Sequence, residues 1–322
     1  MNYQRYLGHA SQLYSVEEVR LVGGKGDGMR LLQVRNASGL EITISADRCA
    51  DISRVIFKGD NMGYFAPCGY VSPAYYDRKD DGFMRNFTAG FLTTCGLESV
   101  GPACVDEEGY APMHGSISNI PCDQIWWEET EAQFLIHAVV RDGNFGGRKL
   151  QLYRTISVDK FENKLVITDK IKNYGSIPSS LMLLYHLNMG YPLLSEKTRI
   201  EIPSITVSPR DEIAAKGIHN WREMECPQEG YSEQCFYHSF DDEGTATVYN
   251  PEIQKGLTIR FDSQCLPYLT QWKKLNVQEY VLGLEPGNCT PDGRESLRRQ
   301  DKLQSIQPNE EKQFQIQIDF LK

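Results

Sequence analysis

The run Gln313-Phe314-Gln315-Ile316-Gln317-Ile318-Asp319-Phe320 alternates polar and apolar residues without a break. Successive side chains point to opposite faces only in a β-strand, so this segment is expected as a strand with one buried face and one wet face. Similar runs recur at residues 40–44, 52–57, 134–140, 150–158, 165–172, 181–186, 257–261, 268–272 and 280–284, separated by Gly, Pro, Asn and Asp turn residues. No long segment carries the i, i+3, i+4, i+7 spacing of an amphipathic helix. The nearest to it, residues 16–21, amounts to a turn or two. An alternating α/β chain is therefore excluded.

So many short strands bury their apolar faces only by stacking into at least two sheets, because a single very wide sheet curls or leaves a face exposed. With 322 residues and 40% hydrophobic content, the expected architecture is all-β: one large β-sandwich domain spanning residues 1–322. Two segments fit no strand rhythm. Residues 61–112 are dense in Gly, Pro, Tyr and Phe, and residues 204–244 are acidic and irregular. Connections this long usually cover a site, so both are expected as its walls or lids.

The chain has 43 acidic against 34 basic residues, a formal net charge of −9. Such a surface repels phosphate backbones and anionic lipid, which argues against nucleic acid or a membrane as partner. Residues 1–6 carry no apolar signal core, and no apolar run approaches the roughly 20 residues of a membrane span, so a cytoplasmic protein is expected. The nine cysteines are odd in number and contain no C-x-x-C pair, which reads as free thiols. Gly23-Gly24-Lys25-Gly26-Asp27-Gly28 lacks the Gly-Lys-Ser/Thr ending of a phosphate loop and precedes no helix; it is expected as a hairpin turn.

Histidine is the usual proton carrier near neutral pH, and there are six. His9, His137, His219 and His238 sit in contexts that suit structural or solvated roles. His114 differs, because Pro112 and Gly115 bracket it on a loop that presents an imidazole outward. His186 closes the apolar run Leu181-Met182-Leu183-Leu184-Tyr185, where burial tunes its proton affinity. Tyr280-Val281-Leu282-Gly283-Leu284-Glu285-Pro286-Gly287 delivers one carboxylate at the end of an apolar strand. Taken singly, each of the three also suits a satisfied core residue, and together His114, His186 and Glu285 would suit zinc.

In chain order, His114-Gly115, His186-Leu187-Asn188 and Leu284-Glu285-Pro286 resemble the galactose mutarotase-like (aldose 1-epimerase) superfamily. Ala46-Asp47-Arg48-Cys49-Ala50-Asp51-Ile52, Gly90-Phe91-Leu92-Thr93-Thr94-Cys95-Gly96-Leu97 and Tyr268-Leu269-Thr270-Gln271-Trp272-Lys273 are similar to one bacterial branch of it. The resemblance implies a supersandwich of two large β-sheets, a monosaccharide or sugar derivative as small-molecule partner, and no cofactor or metal. It implies anomer interconversion with Glu285 as general base and His186 as general acid, expected on different sides of the sugar ring. His114 and Asn188 would contact substrate, and Trp272 would stack on it. Arg48, Arg85 and Lys273 lie near these motifs and could hydrogen-bond sugar hydroxyls or neutralise an acidic substituent. A non-catalytic sugar-binding protein would use the same cleft without needing the acid–base pair.

Overall fold

The structure is a computed structural model that describes residues 5–79 and 81–322, and all counts here refer to them. Most of the terminal stretch read for a signal core, residues 1–4, lies outside the described residues. Strand accounts for 49% of the chain and helix for 9%, as the alternating runs require. Three antiparallel sheets carry the architecture. The first has five strands in sequence order from Ser15–Arg20 to Asp60–Asn61. The second has eight and runs from Gln124–Glu129 through the C-terminal strand Glu311–Leu321 to Arg199–Glu201. The third has six, in the order Thr206–Pro209, Gln234–Ser239, Tyr268–Asn276, Glu279–Gly287, Met182–Met189 and Leu92–Leu97.

One hydrophobic cluster draws on all three, with Ile42 and Val55 from the first sheet, Ile156, Ile167 and Ile316 from the second, and Leu183, Leu187 and Leu284 from the third. In Glu311–Leu321 the apolar face Phe314, Ile316, Ile318 and Phe320 is buried in this cluster. Each such side chain contributes about 1.5–3 kcal/mol on burial, which fixes the register because a one-residue slip would expose them all. Among the described residues no helix is long and apolar enough to cross a membrane.

Two local expectations are corrected. Residues 16–21 form no helix. Ser15–Arg20 is an edge strand, with Val16 opposite Val34 and Val19 opposite Leu31. The valines stand three apart, as in a helix, but the neighbouring strand satisfies the backbone and the glycine turn at Gly23–Gly28 closes the hairpin, with Gly28 N donating to Leu21 O at 2.8 Å. Residues 204–244 are less irregular than expected. They hold the strands Thr206–Pro209 and Gln234–Ser239 and the single-turn helix Glu212–Lys216, capped by Asp211 accepting from the amides of Ile213 and Ala214.

A buried ionic cluster joins the sheets behind the site. Arg154 is fully buried and uses all five donors: Nε and Nη2 reach Asp169 at 2.9 and 2.7 Å, Nη1 reaches Asp51 and Cys49 O at 3.0 and 3.1 Å, and Nη2 reaches Thr94 Oγ1 at 2.8 Å. Tyr185 adds its hydroxyl to Asp169 at 2.8 Å. Its chain neighbour His186 points the other way, toward the site, because successive strand residues alternate in direction.

Candidate active site

The third sheet has the core on one face and loops on the other, and the candidate site lies on the loop face. Antiparallel pairing builds it. Leu184 faces Gly287 and Leu187 faces Leu284, so His186 falls directly across from Glu285. Glu285 in turn faces Thr270, and Thr270 faces Tyr237, which sets a polar row across four neighbouring strands. Alternation along Glu279–Gly287 sends Leu282 and Leu284 into the core and leaves Glu279, Val281 and Glu285 lining a cavity of about 700 Å³. That volume suits a small-molecule ligand.

His186 Nε2 lies 3.2 Å from Glu285 Oε1, and both side chains are almost wholly buried. The contact is not aligned as a hydrogen bond, so Glu285 Oε1 has no hydrogen-bond partner, and neither have His186 Nδ1, Thr270 Oγ1 and the nearby Asn188 Oδ1. Buried polar atoms in proteins are nearly always satisfied. Three of the four atoms, on His186, Glu285 and Thr270, belong to residues that line the cavity. Burial lowers the His186 pKa to about 3, with the neighbouring His114 adding to the effect, and burial raises the Glu285 carboxyl well above the usual range. Both shifts favour the uncharged forms, imidazole and carboxylic acid, in which the pair carries one titratable proton.

His114 completes the triangle, its ring centroid 5.9 Å from that of His186. Its Nδ1 accepts from the Gly101 amide at 3.4 Å, and burial lowers its pKa to about 4. The ring is thus neutral with its proton on Nε2, a hydrogen-bond donor available to a ligand in the cavity that His114 lines. The loop is held by Gly96 N donating to His114 O and His114 N donating to Gly101 O. Gly115 makes this possible: it sits at φ 71°, and a Cβ there would stand 2.0 Å from Gly96 O. Gly283 is needed for a different reason, since its Cβ would meet Glu285 Oε1 at 2.5 Å.

Both irregular segments wall the cavity. Phe83 and Phe87, stacked at 5.0 Å, come from the first, and Phe87 also meets the His186 ring edge-on at 5.3 Å. The second contributes Arg210 and Glu233. Arg210 binds Asp211 at 2.9 Å and Glu233 at 3.1 Å, and Glu233 also accepts the Trp272 indole N–H at 2.9 Å. Sequence reasoning missed Arg210, Glu233, Thr270 and Asp292, all of which line the cavity. Arg210, Glu233 and Asp292 lie in no motif, whereas Thr270 lies within Tyr268-Leu269-Thr270-Gln271-Trp272-Lys273. Only the strand register of Thr270, two residues before Trp272, offered a signal.

Of the residues singled out from sequence, His114, His186, Glu285 and Trp272 meet in the cavity. Trp272 is edge-on to His186 at 5.4 Å. Asn188 is buried beside the site, donating to His186 O at 2.9 Å, and does not line the cavity. Arg48, Arg85 and Lys273 do not line it either. Arg48 is buried behind the wall with Nη1 on Val71 O. Arg85 is exposed on the short helix Gly82–Asn86. Lys273 alternates away from its neighbours Trp272 and Lys274 and donates to Asn220 O and Glu223 O on the far side of the strand. Among the described residues no three His, Cys, Asp or Glu side chains gather as a metal site.

The chain superposes on a Klebsiella pneumoniae protein provisionally assigned as an aldose 1-epimerase with a TM-score of 0.91 and 26% identity, covering 97% of this chain and 86% of that one. A galactose mutarotase-like protein from Clostridium acetobutylicum superposes at 0.66 with 14% identity, covering 96% of this chain and 99% of that one. Galactose 1-epimerase from Lactobacillus acidophilus superposes at 0.62 with 13% identity, covering 95% and 98%. No curated protein matches in sequence. The β-supersandwich expected from the strand pattern and the resemblance is the fold observed, a galactose mutarotase-like sandwich. Residues 26–320 match the family described as Domain of unknown function (DUF4432), and the chain belongs to that family.

Proposed function

We propose that the protein binds a monosaccharide or close derivative in this cavity and interconverts its anomers, with His186 and Glu285 as the acid–base pair. The observation that carries this reading is their placement: His186 Nε2 and Glu285 Oε1 stand 3.2 Å apart, buried and short of hydrogen-bond partners, in a ligand-sized cavity.

Opening a cyclic hemiacetal removes a proton from the anomeric hydroxyl and adds one to the ring oxygen, while the bond from C1 to the ring oxygen breaks and a carbonyl forms at C1. Those two oxygens share one carbon. An acid and a base 3.2 Å apart are within reach of both, which supports the pair in these roles. The pair's single mobile proton suffices, because opening moves one proton from acid to ring oxygen and one from hydroxyl to base. Rotation about the C1–C2 bond and closure with the roles reversed give the other anomer.

A sugar hydroxyl donating to Glu285 supplies the partner its carboxylate lacks, which favours the arrangement with the proton on His186. Glu285 then acts as base and His186 as acid. His114, donating from Nε2, stabilises charge that develops on oxygen. Trp272 and Phe87 offer apolar ring surface against the C–H faces of the sugar.

Ligand-observed NMR against a panel of aldoses, followed by magnetisation-exchange measurement of anomer interconversion on each sugar that binds, tests the proposal. Exchange above the buffer rate is expected. Binding without exchange would instead favour the non-catalytic sugar-binding reading.

A further inference from the structure

The charges around the cavity bear on which sugars enter it. Each cation that lines it already has a carboxylate partner: Arg210 pairs with Asp211 and Glu233, and Lys274 pairs with Glu279 at 3.1 Å. The basic residues that would have welcomed an acidic substituent, Arg48, Arg85 and Lys273, face elsewhere. Asp292 is the opposite case. It lines the cavity with no cation within ion-pair distance among the described residues, and only hydroxyls reach it: Tyr237 donates to Oδ1 at 2.7 Å and Thr290 to Oδ2 at 2.6 Å.

Asp292 is also placed where a substrate would extend. The row His186, Glu285, Thr270, Tyr237 crosses the sheet in steps of one strand spacing, about 4.8 Å. Tyr237 ends the row at the Asp292 carboxylate. Thr270, 1% exposed and with an unpartnered hydroxyl, sits on the strand between that of Glu285 and that of Tyr237, the residue that donates to Asp292. A sugar held at C1 by His186 and Glu285 and lying along the row would bring its other substituents to Thr270 and Asp292.

Resting on the function proposed above, we infer that the site takes sugars whose remaining substituents are hydrogen-bond donors, hydroxyl or ammonium, and rejects phosphorylated and acidic sugars. Asp292 is the specificity-determining residue. A phosphate or carboxylate in this cavity meets no free cation and an uncompensated carboxylate. An ammonium gains a charge-assisted bond there.

Calorimetry or ligand-observed NMR on the full chain at about pH 6, where an amino sugar is protonated, decides the matter. The probes are glucose, glucosamine, glucose 6-phosphate and glucuronate, with the corresponding galactose series. The expected order is amino sugar at least as tight as the parent sugar, and both anionic members about tenfold weaker or worse, equivalent to about 1.4 kcal/mol. Asp292→Asn keeps one acceptor oxygen, for Tyr237 or Thr290, and its NH2 can donate to the other hydroxyl; it should bring the amino-to-parent ratio toward one and recover part of the anionic binding. An anionic sugar that binds as tightly as its parent and exchanges anomers overturns this inference and leaves the proposed function standing. So does an Asp292→Asn variant with unchanged ratios. Silence from every sugar in both series overturns the two together.

Discussion

Tyr185 and His186 are neighbours on one strand, yet they belong to two buried polar clusters of opposite character. On the core side, Arg154, Asp51, Asp169, Thr94 and Tyr185 satisfy one another, and every guanidinium donor has an acceptor. On the other side, His186, Glu285 and Thr270 are buried to a similar degree but leave polar atoms without partners. Desolvation is costly in both places. In the first cluster it is offset within the fold, and the cluster ties sheets together. In the second it is left open, which is what a site for a polar ligand requires.

The contrast breaks most sharply under His186→Ala. Removing one member of the pair should lower the rate of anomer exchange on a bound sugar by about 10²–10⁴-fold, with the urea midpoint nearly unchanged. Arg154→Met should do the reverse. It strands Asp169 and Asp51 in the interior and should cost about 3–5 kcal/mol in urea denaturation, and the protein that remains folded should exchange anomers at the normal rate per site. If Arg154→Met were as stable as the wild type, the description of that cluster as a structural tie would fail.

A subtler prediction concerns pH. Because burial raises the Glu285 carboxyl, the folded state holds a proton that the unfolded chain releases above about pH 4.3, so this group lowers stability as pH rises through that window. Glu285→Gln mimics the protonated acid. Its thermal midpoint should match the wild type near pH 4 and exceed it as pH rises above that, up to the folded-state pKa of Glu285. His186 and His114, lowered to about 3 and 4, act with the opposite sign: the unfolded chain takes up protons below about pH 6.5, so stability falls as pH drops from there toward 4. A Glu285→Gln midpoint that tracks the wild type across the whole range would show that the carboxyl is not held protonated. The smallest effect belongs to Arg85→Ala. Exposed and away from the cavity, it should change stability by no more than about 0.5 kcal/mol and leave exchange unaltered.

The same contrast explains what the sequence could convey. Glu311–Leu321 was legible because one of its faces is wet, and so were Gln133–Gly143, Lys149–Asp159, Lys164–Asn173 and Lys255–Asp262 of the same sheet, whereas Glu243–Asn250 alternates in burial with Gly, Thr and Ala at half of its positions and gives no apolar run. Leu92–Leu97 and Met182–Met189 are buried at every position, because the core covers one face and the site and its loops cover the other. Alternation disappears there, so residues 181–186 were legible as a strand only from an unbroken apolar run, and residues 92–97 gave no strand pattern. Ser15–Arg20 failed for the contrary reason, since an edge strand with few buried positions gives a weak pattern. His114, His186 and Glu285 were recognisable because each ends or interrupts an apolar stretch in a short motif. Lys273 shows a step the sequence did allow: adjacent residues on a strand face opposite ways, so Trp272 and Lys273 cannot both enter one cavity. Arg210, Glu233 and Asp292 were beyond reach, because their meeting depends on how distant loops close over the sheet.

The proposed function stands on one buried carboxyl and one buried imidazole acting together to open the sugar ring. It is tested most directly by two-dimensional exchange NMR on an aldose shown to bind, comparing wild type with Glu285→Gln at equal site occupancy. Exchange cross-peaks between the two anomers are expected with the wild type, and only the buffer rate with the variant while it still binds. Equal exchange from both proteins, or none from the occupied wild type, would contradict it.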